Sequence, residues 1–84
     1  MTLRLTLYTR AGCHLCEQAV ADLERLRRRH PHTLEQIDIG TDAQLSARYG
    51  ERIPVLVVNG HEYPAPLPNA VLARALAEAA ANVA

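Results

Sequence analysis

The chain has 84 residues, 49% of them hydrophobic, and its nine arginines balance nine acidic residues, so it can fold as one small domain with a modest core. This balance of charge provides no global field that would recruit nucleic acid or an anionic membrane surface. Polar residues interrupt the N-terminal segment and no apolar run is long enough to span a bilayer. We therefore expect a cytoplasmic protein with a single domain over residues 1–84.

The first third of the chain predicts a strand followed by an amphipathic helix. Leucines alternate with polar residues over residues 3–8, as in a strand with one buried face. A short loop ends at Gly12, whose conformational freedom allows a tight approach to the next element. From Cys13 to about Arg29, apolar residues recur every three or four positions, and Asp22 falls among the polar residues between them. Proline at position 31 then ends the helix.

The middle of the chain predicts a second strand, a short helix and a buried strand. The second strand is expected over residues 33–39. The segment Thr41–Gln44 fits a capping box, in which Thr41 starts a helix that ends at Tyr49, and Gly50 is expected to stop it in the left-handed conformation. The continuous apolar run Val55–Val58 is typical of a strand buried on both faces.

The last third of the chain predicts a hairpin and a final helix. Asn59-Gly60 is a strong signal for a two-residue hairpin, which returns the chain as a short edge strand over residues 61–63. Three prolines then prevent regular pairing, and Asn69 is expected to cap a helix that ends near Ala80. The predicted order is β-α-β-α-β-β-α, an α/β fold with a four-stranded mixed sheet and helices on both faces.

The only two cysteines, Cys13 and Cys16, lie where the first strand passes into the first helix. Two intervening residues place the sulfurs about one helical turn apart, so they can form a small-ring disulfide. Closing so short a loop removes little entropy from the unfolded chain, so reactivity explains the pair better than structural stabilisation does. Cys13 is the expected nucleophile because a helix N-terminus lowers the pKa of a thiol, and Cys16 is the expected resolving thiol.

Two other classes of function stay open from the residues alone. The cysteines make half of a zinc site, but the first helix places His30 and His32 about 20 Å from them, so no metal ligands are assigned within one chain. A zinc ion or an iron-sulfur cluster shared between two chains through Cys13 is one alternative, and a binding module with incidental cysteines is the other. These histidines and His61 are expected at the surface. Arg27–Arg29 are expected to complement the dipole at a helix C-terminus rather than to bind nucleic acid.

Two segments together resemble the glutaredoxin-like branch of the thioredoxin superfamily. Tyr8–Cys16 resembles its strand-end tyrosine, its basic residue three positions before the first cysteine and its Cys-x-x-Cys motif. Ile53–Gly60 resembles its second signature, a proline at the start of a strand followed by an Asn-Gly hairpin. The similarity covers nearly the whole chain, and the short length and Cys-His-Leu-Cys motif are most similar to a small bacterial group of glutaredoxin-like proteins.

The resemblance implies a thioredoxin-like fold and a thiol–disulfide oxidoreductase that acts through Cys13 and Cys16 on protein or small-molecule disulfides. It also implies a cis Ile53–Pro54 peptide bond beside the sulfurs, where both residues would bind an extended substrate. Without the resemblance, a trans proline that opens an edge strand would be the simpler expectation.

Further candidate site residues surround the motif. Arg10 and Arg52 can hold a substrate carboxylate, although exposed arginines often serve solvation alone. His14 either stabilises the attacking thiolate or is a solvated side chain in the first helical turn. Tyr8 is expected to support the site by packing, and Gly12 by shaping the loop.

The chain departs from the family at positions that bind glutathione. Glutaredoxins have Pro-Tyr between the cysteines and Thr-Val before the proline, whereas this chain has His14-Leu15 and Arg52-Ile53. Their Gly-Gly and acidic residue after the hairpin are replaced by Tyr63–Leu67, whose side chains fill the space that the glutathione backbone uses. We therefore expect no bound cofactor, a monomer, and a disulfide-containing protein or low-molecular-weight thiol as partner, with glutathione the less favoured co-substrate.

Overall fold

The computed structural model describes residues 2–82. Within that range the chain forms four strands, three α-helices and one 3₁₀ turn over Ile39–Thr41. The strands and α-helices are β1 (Leu3–Thr9), α1 (His14–Leu26), β2 (His32–Asp38), α2 (Ala43–Tyr49), β3 (Val55–Val58), β4 (His61–Tyr63) and α3 (Asn69–Ala81). The predicted element order is confirmed.

The four strands form one mixed sheet in the order β2-β1-β3-β4. β1 runs parallel to β2, whereas β3 is antiparallel to both β1 and β4. Asn59 and Gly60 connect β3 to β4 with positive φ angles of 52° and 79°, the conformation that favours Asn-Gly in a two-residue hairpin. β1 and β3 therefore lie at the centre of the sheet. β1 ends just before the Cys-x-x-Cys motif, and β3 begins beside the end of β1 and runs in the opposite direction.

The sheet separates two apolar clusters because successive side chains of a strand point to opposite faces. On one face, Leu5 and Leu7 of β1 pack with Leu23 of α1 and Leu76 of α3, all of them buried. On the other face, a smaller cluster is built on the three buried residues Ile39, Tyr49 and Val55. Half-buried side chains from β1 and α2, Tyr8 and Leu45, pack against this second cluster. Helices therefore cover both faces, and the larger core lies under α1 and α3.

Two predicted boundaries are wrong by a few residues. α1 ends at Leu26 rather than near Arg29, and the chain continues as a turn in which the amides of Arg29 and His30 both donate to the Leu26 carbonyl. β2 covers His32–Asp38 rather than 33–39, because Ile39 leaves the strand in the 3₁₀ turn. This turn buries Ile39 in the second cluster.

The predicted helix caps are also wrong in detail. Asp42, not Thr41, caps α2, since its carboxylate accepts the amides of Gln44 at 2.9 Å and Leu45 at 3.1 Å. Gly50 is right-handed, with φ −50° and ψ −36°. A Cβ at Gly50 would lie 2.5 Å from the Ser46 carbonyl oxygen, so this glycine permits a close approach rather than a left-handed stop.

α3 also begins differently from the prediction. The helix starts at Asn69, the N-cap position belongs to Pro68, and no side chain caps the first turn. Leu72, Leu76 and Ala79 lie on the buried face of this helix.

Two polar side chains expected at the surface are buried. His32 is only 4% exposed, and its Nδ1 lies 2.8 Å from the His30 carbonyl oxygen, which requires that this nitrogen donate the hydrogen bond. Asp22 is 5% exposed, although its polar neighbours in the sequence predicted that it would lie on the solvent-facing side of α1. His61 is exposed as predicted, whereas His30 is half-buried. Over residues 2–82, no helix is both long and apolar enough to cross a membrane.

Candidate active site

The loop that joins β1 to α1 brings the first cysteine to the start of the helix. Gly12 has φ +79°, a conformation that side-chain-bearing residues rarely adopt, and a Cβ there would meet no atom within 4 Å. The loop is closed by a hydrogen bond of 3.1 Å from the Cys13 amide to the Arg10 carbonyl. Gly12 is thus needed for its backbone conformation, which turns the chain so that Cys13 becomes the N-cap of α1.

Cys13 and Cys16 form a disulfide across the first turn of α1, with their Cα atoms 5.2 Å apart. Cys16 is 3% exposed and lies beneath the helix, whereas Cys13 is the more accessible of the two. The Cys16 amide donates to the Cys13 sulfur over 3.1 Å, in the way that N-cap side chains satisfy free amides of a helix. The arrangement therefore presents Cys13 to incoming groups and shields Cys16.

The cis Ile53–Pro54 bond precedes β3, and Pro54 is buried beside a groove along α1. The groove has a volume of about 440 Å³ and is called the α1 groove below. One wall consists of α1 residues and the other of the proline-rich segment, and the complete lining is Leu15, Gln18, Ala19, Asp22, Pro54 and residues 65–69. The structure thus brings Pro54 and Leu15, which lies between the two cysteines in sequence, to one surface.

A backbone hydrogen bond connects the proline-rich segment to the start of β3. The Ala65 amide donates to the Arg52 carbonyl over 3.1 Å, and the Ala65–Pro66 peptide bond is cis. Leu67 is buried in the larger core, so the outer wall of the groove is held at both ends. Asp22 and this proline-rich wall are the part of the site that sequence interpretation missed. The one indication of this groove in the sequence is the i, i+4, i+7 spacing of Leu15, Ala19 and Asp22, which places the three residues on one face of α1.

The remaining candidate residues are not all brought to the groove. Arg10 lines a second cavity of about 320 Å³ beside the disulfide, together with Gly12, Cys16 and Gln36. The guanidinium of Arg10 points toward the end of α2, with one nitrogen 3.6 Å from the position that a Cβ on Gly50 would take. The side chain of Arg52 is exposed, and so is that of His14 in the first turn of α1.

Tyr8 packs behind the site rather than in it. Its ring stacks on that of Tyr49 with the centroids 4.3 Å apart. The Tyr49 hydroxyl donates to the Glu62 carboxylate over 2.6 Å, and Arg48 lies 3.2 Å from the same carboxylate. The hydrogen bond to Glu62, aided by burial of the ring, raises the pKa of Tyr49 from 10.0 to about 12. The contacts of Tyr49 and Arg48 with Glu62 thus connect α2 to β4 on the second face of the sheet.

The raised pKa of Tyr49 predicts how stability changes in alkaline solution. The folded state favours the neutral phenol. The contribution of Tyr49 to the free energy of unfolding is therefore complete below pH 10 and is lost as the pH rises toward about 12. We expect the urea midpoint of the oxidised protein to fall more steeply between these pH values than that of Tyr49→Phe. Tyr63→Phe leaves the bond to Glu62 intact and should keep the wild-type slope. Equal slopes for wild type and Tyr49→Phe would contradict the assignment.

Cysteine and histidine are the residue types that most often bind zinc. Residues 2–82 contain no group of three or more His, Cys, Asp or Glu side chains arranged to hold a metal ion. His32, one of the histidines considered at the sequence level, directs Nδ1 at a backbone carbonyl instead. The part of the chain that the structure describes therefore brings no third donor of these types to the two cysteines.

Comparison with known protein families gives one match. The model of the glutaredoxin-like domain, DUF836, matches residues 4–79, which include both cysteines, Pro54 and the hairpin. No curated protein matches the chain.

Solved structures extend this likeness. The crystal structure of protein XcR50 from X. campestris is 39% identical with a TM-score of 0.78, covering 88% of this chain and 96% of that one. The solution structure of Ne2328 from Nitrosomonas europaea is 33% identical with a TM-score of 0.76, covering 90% and 93%. Oxidised thioredoxin O2 from Arabidopsis thaliana, at 20% identity, has a TM-score of 0.67 over 92% of this chain and 74% of its own. This last likeness establishes the thioredoxin-like fold.

Proposed function

Because the chain belongs to the glutaredoxin-like domain family, we propose that it is a thiol–disulfide oxidoreductase in which Cys13 is the nucleophile and Cys16 the resolving thiol. The observation that supports this most directly is the disulfide at the N-terminus of α1, with one sulfur accessible and the other buried. A structural cross-link of only four residues would stabilise little. A reacting dithiol, in contrast, requires this division between an exposed and a shielded thiol.

The proposed reaction gives each of the two sulfurs a separate step. The Cys13 thiolate attacks one sulfur of a substrate disulfide, so that a mixed disulfide forms and the other substrate sulfur leaves as a thiolate. The Cys16 thiolate then attacks the Cys13 sulfur, which forms the Cys13–Cys16 disulfide and releases the second substrate sulfur. The substrate gains two electrons and its leaving thiolates take up protons from solvent, while the protein is oxidised. A thiol or dithiol reductant restores the reduced protein.

The start of α1 supports Cys13 as the attacking group. The Cys16 amide, which donates to the Cys13 sulfur in the disulfide, is in place to stabilise a thiolate there, and the positive end of the helix dipole acts in the same direction. Arg10 and His14 are proposed to add positive charge near an approaching substrate. Arg52, Ile53 and Pro54 are proposed to hold an extended segment of it.

The partner that we propose is a protein disulfide rather than glutathione. The segment after β4, which would have to admit the glutathione backbone, is occupied by prolines and by Leu67, a core residue. The α1 groove beside it follows the helix from Leu15 to Asp22 and is lined mainly by apolar side chains, as suits a polypeptide segment.

The reduction potential of the dithiol tests this proposal. The protein is equilibrated in graded thiol–disulfide buffers, and the free thiols are alkylated and counted by mass spectrometry. We expect a reversible two-electron transition between about −120 and −270 mV, the range of catalytic dithiols. Cys13→Ser and Cys16→Ser are the controls, because neither can form the intramolecular bond. Absence of the transition in the wild type would reject the redox function and favour a binding module or a cysteine-bound metal.

A further inference from the structure

Asp22 provides a negative charge in the floor of the α1 groove. It is 5% exposed, and the partner that residues 2–82 supply for its carboxylate is the guanidinium of Arg25, one turn along α1. The Arg25 side chain is 69% exposed. A buried carboxylate loses hydration and gains from each added cationic partner, and its two oxygens can accept more than the one hydrogen bond that Arg25 donates to Oδ1. The site therefore has unused capacity for a cation from outside the chain.

Apart from the uncharged polar residues Gln18 and Asn69, the rest of the groove lining is apolar. Leu15 is 60% exposed at the mouth, and the lining further along consists mainly of Ala19, Pro54, Pro66, Leu67 and Pro68. Prolines and leucine offer contact area to an apolar side chain but no charge. The carboxylate of Asp22 is therefore the charged group that distinguishes one ligand from another in this groove.

Helix geometry sets the distance along the groove from Leu15, which lies between the two cysteines in sequence, to Asp22. Leu15, Ala19 and Asp22 follow one face of α1, and seven residues of helix span about 10 Å. An extended polypeptide covers about 3.3 Å per residue. A chain that presents a cysteine at the start of α1 thus reaches Asp22 with its third or fourth residue from that cysteine.

We propose that the α1 groove selects protein disulfides in which an arginine or lysine lies three or four residues from the cysteine attacked by Cys13. An apolar side chain next to that cysteine packs on Leu15 and Pro54, and the cation pairs with Asp22. The inference rests on the proposed function and names its class of substrate. Because the charges of the whole chain balance, the preference originates in this one carboxylate rather than in a global field.

Activated peptides test the preference. Each peptide contains one cysteine as a mixed disulfide with 2-thiopyridine, a leucine beside it, and Arg, Gln or Glu at the third and fourth positions on one side. A second set has the mirrored order. Attack by the reduced protein on the peptide sulfur forms the mixed disulfide and expels 2-thiopyridone, whose absorbance gives the second-order rate constant. We expect the Arg peptide of one set to react about threefold to tenfold faster than its Glu partner.

Three variants of α1 assign the preference to Asp22. Asp22→Asn should reduce the Arg-to-Glu rate ratio to about one. Glu24→Gln removes an equal charge from the same helix outside the groove and should keep the wild-type ratio. Arg25→Gln removes the internal competitor for Asp22 and should raise the ratio, and because this side chain is exposed the test stands even if Asp22→Asn does not fold.

The outcomes separate the inference from the proposed function. A wild-type ratio near one, faster reaction of the Glu peptides, or ratios that Asp22→Asn and Arg25→Gln leave unchanged would overturn the selection of cations. If the Gln peptide reacts with the wild type no faster than with a simple free thiol, the thiol–disulfide function itself fails.

Discussion

Replacing Cys13 with serine is expected to abolish disulfide reduction, with a loss on the order of a thousandfold or more. A hydroxyl at this position cannot supply the thiolate, and the buried Cys16 cannot take over the attack because it is 3% exposed. The rate of reduction of a small neutral disulfide, followed under excess reductant, measures the loss.

The matched control is Cys16→Ser. This variant keeps the attacking thiol and should accumulate a mixed disulfide with the substrate, visible as a mass adduct on Cys13. If Cys16→Ser lost the first attack and Cys13→Ser retained it, the two roles would be reversed.

A second large effect is expected in the core beneath the site. Leu7 is fully buried at the centre of β1 and is paired with Leu56 of β3. Leu7→Ala removes apolar contacts and leaves a cavity, so we expect the free energy of unfolding to fall by about 3 kcal/mol. That is a large fraction of the roughly 5–10 kcal/mol that a domain of this size has.

Leu15→Ala is the control for this effect, because the same substitution removes a side chain that is 60% exposed. Its free energy of unfolding, from urea denaturation of the oxidised protein, should stay within about 0.5 kcal/mol of the wild type. Equal losses in the two variants would contradict the described core.

The elements that were predicted correctly depend on neighbouring residues. The alternation of leucines predicts β1, and the Asn59-Gly60 turn predicts the hairpin, because period-two burial and positive φ are local properties of these residues. The disulfide depends on a spacing of three within one helical turn. These features needed no knowledge of distant parts of the chain.

The errors arise where distant segments determine the environment. The polar neighbours of Asp22 in α1 predicted a solvent-facing side chain, but residues 65–69 form the opposite wall of the groove and Asp22 is 5% exposed. His32 was expected at the surface, yet it begins β2 opposite Leu3 and is buried there. At α2 the cap was predicted at Thr41, but Thr41 belongs to the 3₁₀ turn, where its hydroxyl donates to the Asp38 carbonyl, and the next residue, Asp42, caps the helix.

The strand order also has a consequence for self-association. Within residues 2–82, the outer strands β2 and β4 each have one edge without a neighbouring strand, the feature by which sheets of different molecules can join. β2 carries exposed Glu35 and Asp38, so two such edges would bring like charges together, and β4 has only three residues before Pro64 removes a donor. Both edges are thus protected against pairing with the edge of another molecule. We therefore do not expect the sheets of different molecules to join at high protein concentration, as in overexpression.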